Sequence, residues 1–298
     1  MNWLAAYIMR GRTQAMLVAT TLAIVSLVMP PISVVSSASV ALVTLRLGAF
    51  EGFWVLACSS IVAGLLGLLL LDNYQFALLY ALVLWLPVWL IGIVLREGRH
   101  LSLAIEIAVS LGILGVLIGY LYSSDLALIW QQLLKQMLPD DVPPDAQEKI
   151  EILAHYMTGI AAAGTISSLL FGLFLGRWWQ ANLYNPGGFR QEFLSLTAHL
   201  PLTIASIVSI VLAAVTNGIF SEVLWNIVIV LFVLYALIGT AILHIIFSTM
   251  QLARFAIPMF YITLFLIPHA LLPVALIGLS DKWLNLRKKY STSNTPKA

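Results

Sequence analysis

From Thr13 to Leu279 the chain is an almost unbroken series of apolar runs, interrupted only by short clusters of charge, proline or glycine. Each run is roughly 17–25 residues long, which at the α-helical rise matches the hydrocarbon thickness of a bilayer. Few folds tolerate such a pattern. A water-soluble domain needs charge over its outer faces, and only 9% of these residues are charged against 61% hydrophobic. A β-barrel shows short alternating segments instead. Open sheets and irregular loops cannot face lipid, because each unpaired backbone group is costly there. The fold class that remains is all-α: a polytopic transmembrane helical bundle of roughly eight to ten membrane segments, with an extramembrane amphipathic helical segment. The mean hydropathy of +0.99 agrees.

The runs divide at identifiable breakers. A first span over 14–29 stops at Pro30-Pro31, where missing amide donors and ring clashes end a helix. Further spans are predicted at 32–46, 50–71, 75–95, 101–122, 156–176, 200–216 and 222–247, with a last apolar stretch at 255–279. Arg10 and Arg12 followed by an apolar stretch and Ser37-Ala38-Ser39 also fit a signal peptide. The length of that stretch, and the apolar sequence that resumes after it, favour a retained first helix. The one cysteine, Cys58, excludes a disulfide framework and a cysteine metal cluster.

One long polar segment stands out, Ser123 to Tyr156. Its first part places Leu126, Ile129, Trp130, Leu133 and Met137 at helical spacing, which predicts an amphipathic helix. Asp140-Asp141-Val142-Pro143-Pro144 breaks it. Asp145 and Glu148 then resemble an N-cap and its capping partner, so a helix is expected to start there and run on into the span at 156–176.

Charge orients the chain. If every span crosses, Arg10, Arg12, Arg46, Arg96, Arg99, Arg177, Arg190 and Arg254 fall on one side, as cytoplasmic loops prefer. The acidic helical insertion 123–155 falls on the other, extracytoplasmic side. The basic tail 281–298 joins the arginines if Pro268 and Pro273 fold the last stretch into a short hairpin, or if one earlier span is not a full crossing; the broken last stretch is the favoured reading.

Candidate functional residues are few. Ala15, Ala19 and Ala23 lie four apart on one face of the first span, a spacing that allows close helix approach. They serve either internal packing or docking of a partner subunit. Gly172 and Gly176 form a similar pair. Glu106 lies inside a span, where an acid is costly, and is a candidate to bind a proton or cationic substrate, or else to pair with Arg99 or His100. The segment 177–199 reads as a cytoplasmic aromatic and glycine loop. In it Trp178, Trp179 and Tyr184 suit the headgroup zone, Asn185-Pro186-Gly187-Gly188 is a turn signal, and Arg177 and Arg190 suit lipid phosphate or a protein partner. Asn217, Glu222 and Asn226 read as helix caps at the surface. His155, His199, His244 and His269 have no metal-ligand spacing. No Walker A sequence, HExxH or Ser/His/Asp set is present, so no enzyme activity, metal or cofactor is expected.

Through Arg177-Trp178-Trp179-Gln180, Asn185-Pro186-Gly187-Gly188-Phe189-Arg190 and Gly278-Leu279-Ser280-Asp281-Lys282-Trp283-Leu284-Asn285-Leu286-Arg287, the chain resembles the YybS-like family of bacterial membrane proteins. That resemblance implies a multi-pass protein of the bacterial cytoplasmic (inner) membrane and covers most of the chain. The alanine face, followed by a proline break and a short second span, is also similar to the substrate-binding subunits of energy-coupling-factor transporters, where such a face docks a shared transmembrane subunit served by an ATPase. The extra helices and the acidic segment depart from that pattern.

Two functional readings follow. One is a small-solute transport component of the substrate-binding kind, with membrane lipids and a transmembrane partner subunit as its partners. The other is a non-transporting scaffold or assembly factor that holds a partner through 177–199. Neither involves a nucleic acid.

Overall fold

The computed structural model describes residues 2–123, 125–137, 143–249 and 253–287, and every regular element among them is helical. The helices are α1 (Asn2–Ile8), α2 (Arg12–Val25), α3 (Ser33–Leu47), α4 (Ala49–Leu71), α5 (Gln75–Tyr80), α6 (Leu86–Gly98), α7 (Leu101–Tyr122), α8 (Leu126–Gln136), α9 (Pro144–Ala154), α10 (Met157–Tyr184), α11 (Gly188–Leu194), α12 (Leu200–Val215), α13 (Gly218–Thr249), α14 (Ala253–Leu266) and α15 (Leu271–Leu284). Six helical stretches are long and apolar enough to cross a membrane: Pro30–Leu47, Ala49–Leu69, Gln75–Gly98, Leu101–Tyr122, Met157–Tyr184 and Gly218–Ser248. Arg12–Val25, Leu200–Val215 and Arg254–Leu266 are shorter apolar helices. The chain forms two compact units, Met1–Ala108 with Thr165–Phe193, and Val109–Gly164 with Leu194–Ala298.

In the first unit α3 is the centre. Ten consecutive residues, Ser36 to Leu45, are buried, so this helix is surrounded rather than one-sided. Small side chains make that possible. Ser37 and Ser39 return their hydroxyls to the carbonyls of Ser33 and Val35, 3.0 Å away, which removes their polar cost. Ser36 Oγ donates to the Ala19 carbonyl at 2.7 Å and accepts from Trp85 Nε1 at 3.1 Å. Trp85 ends a π-helical turn, Ala81–Trp85, between α5 and α6. Pro87 follows two residues later and supplies no amide to the preceding turn, which accounts for the widened turn there.

The C-terminal end of α3 carries unsatisfied carbonyls. That of Leu45 accepts from Arg96 Nη1 at 3.0 Å and from Gln180 Nε2 at 3.1 Å. Cations near a helix C-terminus are favourable on dipole grounds as well. Arg12 forms a two-pronged pair with Glu51, at 2.5 and 2.6 Å.

In the second unit α13 packs against α12 and α15. A Cβ at Gly239 would collide with the backbone of Val274, so α13 and α15 touch main chain to main chain. The last apolar stretch is two helices. Ile267, at φ −129° and ψ 80°, precedes a three-residue 3-10 turn that opens with Pro268. The corner after α2 has the same form: Met29, at φ −128° and ψ 83°, precedes a three-residue 3-10 turn that opens with Pro30. Hydrogen bonds match too. Met29 N–H bonds Val25 O at 3.0 Å and Ile267 N–H bonds Thr263 O at 2.8 Å, each closing a last helical turn.

Two expectations change. The predicted continuous helix from 145 through 176 is interrupted at His155–Tyr156, between α9 and α10. Asp145 is not the N-cap of α9; Pro143 is, and it makes no side-chain cap bond. Proline at the first helical position, Pro144, starts the helix instead. The breaker residues Asp140, Asp141 and Val142, and the tail lysines Lys288, Lys289 and Lys297, lie outside the described residues.

Candidate functional site

The chemistry gathers where α7, α9, α10 and α13 meet in the second unit. α13 is apolar along nearly its whole length, yet its second turn carries Glu222 and its third Asn226. Tyr120, near the end of α7, donates its hydroxyl to Glu222 Oε1 at 2.6 Å. His155 Nδ1 lies 2.6 Å from Glu222 Oε2. One carboxylate is thus held from two directions by a phenol and an imidazole. The Glu222 side chain is 17% exposed and that of His155 49%, so the site is partly open.

Asn226 is fully buried and organises the interruption between α9 and α10. Its Nδ2 lies 2.7 Å from the carbonyl of His155, 2.8 Å from that of Glu222 and 3.1 Å from the Tyr120 hydroxyl, sharing two N–H groups among three acceptors. Its Oδ1 accepts the N–H of Gly159 at 2.5 Å. Gly159 is the third residue of α10, whose first amides have no partner in their own helix. A side chain from α13 therefore does the work of an N-cap. Only glycine permits it, because a Cβ at 159 would strike the backbone of Asn226. Beside this cluster, Trp130 Nε1 donates to Thr158 Oγ1 at 2.9 Å.

Sequence reasoning assigned Glu222 and Asn226 to surface capping and missed this site. Asn226 does cap, but a helix other than its own and away from water. The available signal was a single asparagine in an otherwise apolar stretch.

The residues singled out from sequence lie elsewhere. Ala15, Ala19 and Ala23 are fully buried within the first unit, where α2 packs on α3 and α4. Of the two uses read for this face, internal packing is the one seen: the face is occupied by the chain itself. Gly172 and Gly176 face Ser37, Ala38 and Ala41 in the same interior. Glu106 is buried, at 8% exposure, beside Ala104, Ile105, Ala108 and Val109 on α7, and it has a partner.

The stretch 177–199 is only partly loop. Arg177, Trp178 and Trp179 belong to the last turns of α10, and Gly188 and Arg190 to α11; only 185–187 and 195–199 are non-helical. Arg177 grips Glu192 through Nε, at 2.8 Å, and through Nη2, and its Nη1 donates to Gln180 Oε1 at 2.8 Å. Trp179 is fully buried. Arg177 and Trp179 thus hold α11 and the inner packing, whereas Asn185, Pro186, Gly187 and Arg190 remain exposed.

At the far end of α15, Arg287 binds Asp281 Oδ2 at 3.1 Å and the carbonyls of Leu194, at 2.7 Å, and Leu196. Burial pulls the Arg287 guanidinium below its ordinary value, against the opposing pull of Asp281. Arginine stays charged regardless, so this is a permanent clasp. Lys282 adds a bond to the Ala198 carbonyl at 3.2 Å.

No group of three or more metal-ligating side chains occurs among the described residues. The helices and their apolar lengths define a multi-pass helical membrane protein. No family model, curated protein or solved structure matches the chain.

Proposed function

We propose that the protein is the membrane-embedded, solute-capturing component of a transport system, and that the Glu222 cluster is where the solute or its coupling ion binds. One observation carries this reading: a carboxylate on an apolar helix, held by Tyr120 and His155 yet reachable from outside. Ionisable groups at such positions are expensive and are functional by default. A purely packing role would be served by an apolar side chain at lower cost.

In the topology that goes with it, α2, α3, α4, α5–α6, α7, α10, α12, α13, α14 and α15 cross in alternation. The arginine-bearing ends then share the cytoplasmic side, together with the C-terminal residues, and α8–α9 with the Glu222 cluster lie outside. The two-helix form of the last stretch supports this count, because it brings Lys282 and Arg287 to the arginine side. A bacterial cytoplasmic membrane, a YybS-like relationship and an ATPase-bearing partner subunit belong to the same proposal. A partner helix would have to dock somewhere other than the alanine face.

The scaffold reading keeps one specific support, the exposed turn at Asn185, Pro186 and Gly187 next to Arg190. A single experiment separates the two. Protein purified in detergent is denatured, and the released small molecules and ions are identified by mass spectrometry, for the native chain and for Glu222→Gln. Transport predicts a species present in the first and absent from the second. Release of nothing from either, with a co-purifying protein lost in Arg190→Ala, would overturn it.

A further inference from the structure

We propose that α8 is an interfacial helix that lies in the headgroup layer of the leaflet at its end of the bundle, with Ile129, Leu133 and Met137 inserted toward the acyl chains. This goes beyond the transport reading and does not depend on it. The three residues are four apart, so they form one stripe along the helix. All three are exposed, Met137 to 82%. Lys135, the one charged residue of the helix, is exposed on the opposite side, with Gln132 and Leu128 exposed between, and Gln136 borders the stripe. An apolar stripe with a lysine on the opposite side is the pattern of a helix lying flat at a membrane surface.

Two tethers fix the depth. α8 begins four residues after Tyr122, the last residue of the apolar helix α7. An exposed stripe on α7, Leu114, Leu117, Ile118 and Leu121, runs to that end, so a lipid-facing surface leads directly to α8. Trp130 bonds Thr158, the second residue of α10, at the point where that helix's apolar run begins. The α8 axis is therefore held at the level where two membrane-length helices meet the interface, and a tryptophan there has both of the environments it prefers. The neighbouring α9 differs. Asp145, Glu148, Lys149 and Glu151 crowd one short helix, which suits water.

The test uses the full chain in lipid nanodiscs of phosphatidylcholine and phosphatidylglycerol. In a Cys58→Ala background, a fluorophore is attached at Met137→Cys, at Leu133→Cys or at Lys135→Cys. These are surface positions, so the labels leave the interior packing alone. Quenching by nitroxide-bearing lipid should be several-fold stronger at 137 and 133 than at 135, and quenching by aqueous iodide should show the reverse order. Equal iodide quenching at all three positions would overturn the proposal. So would protection of 133 and 137 from both quenchers together with cross-linking between copies, which would make a second chain the occupant.

Discussion

The side-chain oxygen of Asn226 accepts the backbone N–H of Gly159 at 2.5 Å, while its amide nitrogen reaches the carbonyl of His155 at 2.7 Å. Interrupting α9 and α10 leaves an idle carbonyl on one side of the gap and an idle amide on the other, and a single asparagine from α13 answers both. Replacing it with alanine strands a buried amide and a part-buried carbonyl. The expected loss is on the order of 2–4 kcal/mol, read as a lower melting temperature in detergent and faster amide exchange over the first turn of α10. Unchanged exchange at Gly159 would contradict this arrangement.

Glu222 and His155 should be energetically coupled. A charge-assisted contact of this kind, partly screened by water, is worth about 1–2 kcal/mol in a double-mutant cycle. His155→Ala, Glu222→Gln and the double variant, compared by thermal stability, supply the four corners. Strict additivity of the two single changes would mean that the contact contributes nothing.

Ala19→Trp separates internal packing from partner docking. Ala19 is fully enclosed, and its carbonyl receives the Ser36 hydroxyl. A tryptophan cannot enter without displacing α3, so the folded yield should collapse even when the protein is expressed alone. A docking face would give the opposite result, normal folding with loss only of a partner.

Arg177→Ala should release α11. Its guanidinium is mostly enclosed and holds Glu192 with two prongs. Limited proteolysis should find new cleavage near the turn at 185–187, and the Glu192→Gln variant should show the same site more weakly. Arg190→Ala, on the exposed side of the same helix, should leave the cleavage pattern unchanged.

The apolar helices were legible because apolar length is a one-dimensional property: Pro30, Asp72 and Pro268 punctuate it where the helices turn. Segment 177–184 misled because arginine, tryptophan, glutamine and asparagine in sequence have the composition of a loop. α10 continues through them because Arg177 has Glu192, and Gln180 has the Leu45 carbonyl, as partners in space. The polar cluster was hidden for a related reason. Tyr120, His155 and Glu222 are separated by 35 and 67 positions and share no spacing rule. Their meeting depends on how α7 and α13 pack, which no local pattern encodes.

The matched corners at Met29 and Ile267 also bear on how freely this molecule can be rebuilt. Pro30-Pro31-Ile32 and Pro268-His269-Ala270 share only their leading residue, yet the backbone turns through each in the same way. Direction of travel is thus encoded in one imino acid and the torsion before it, leaving the following two positions at liberty to drift. Exchanging the tripeptides should yield a chain that still reverses at both places, as though the bends were interchangeable fittings.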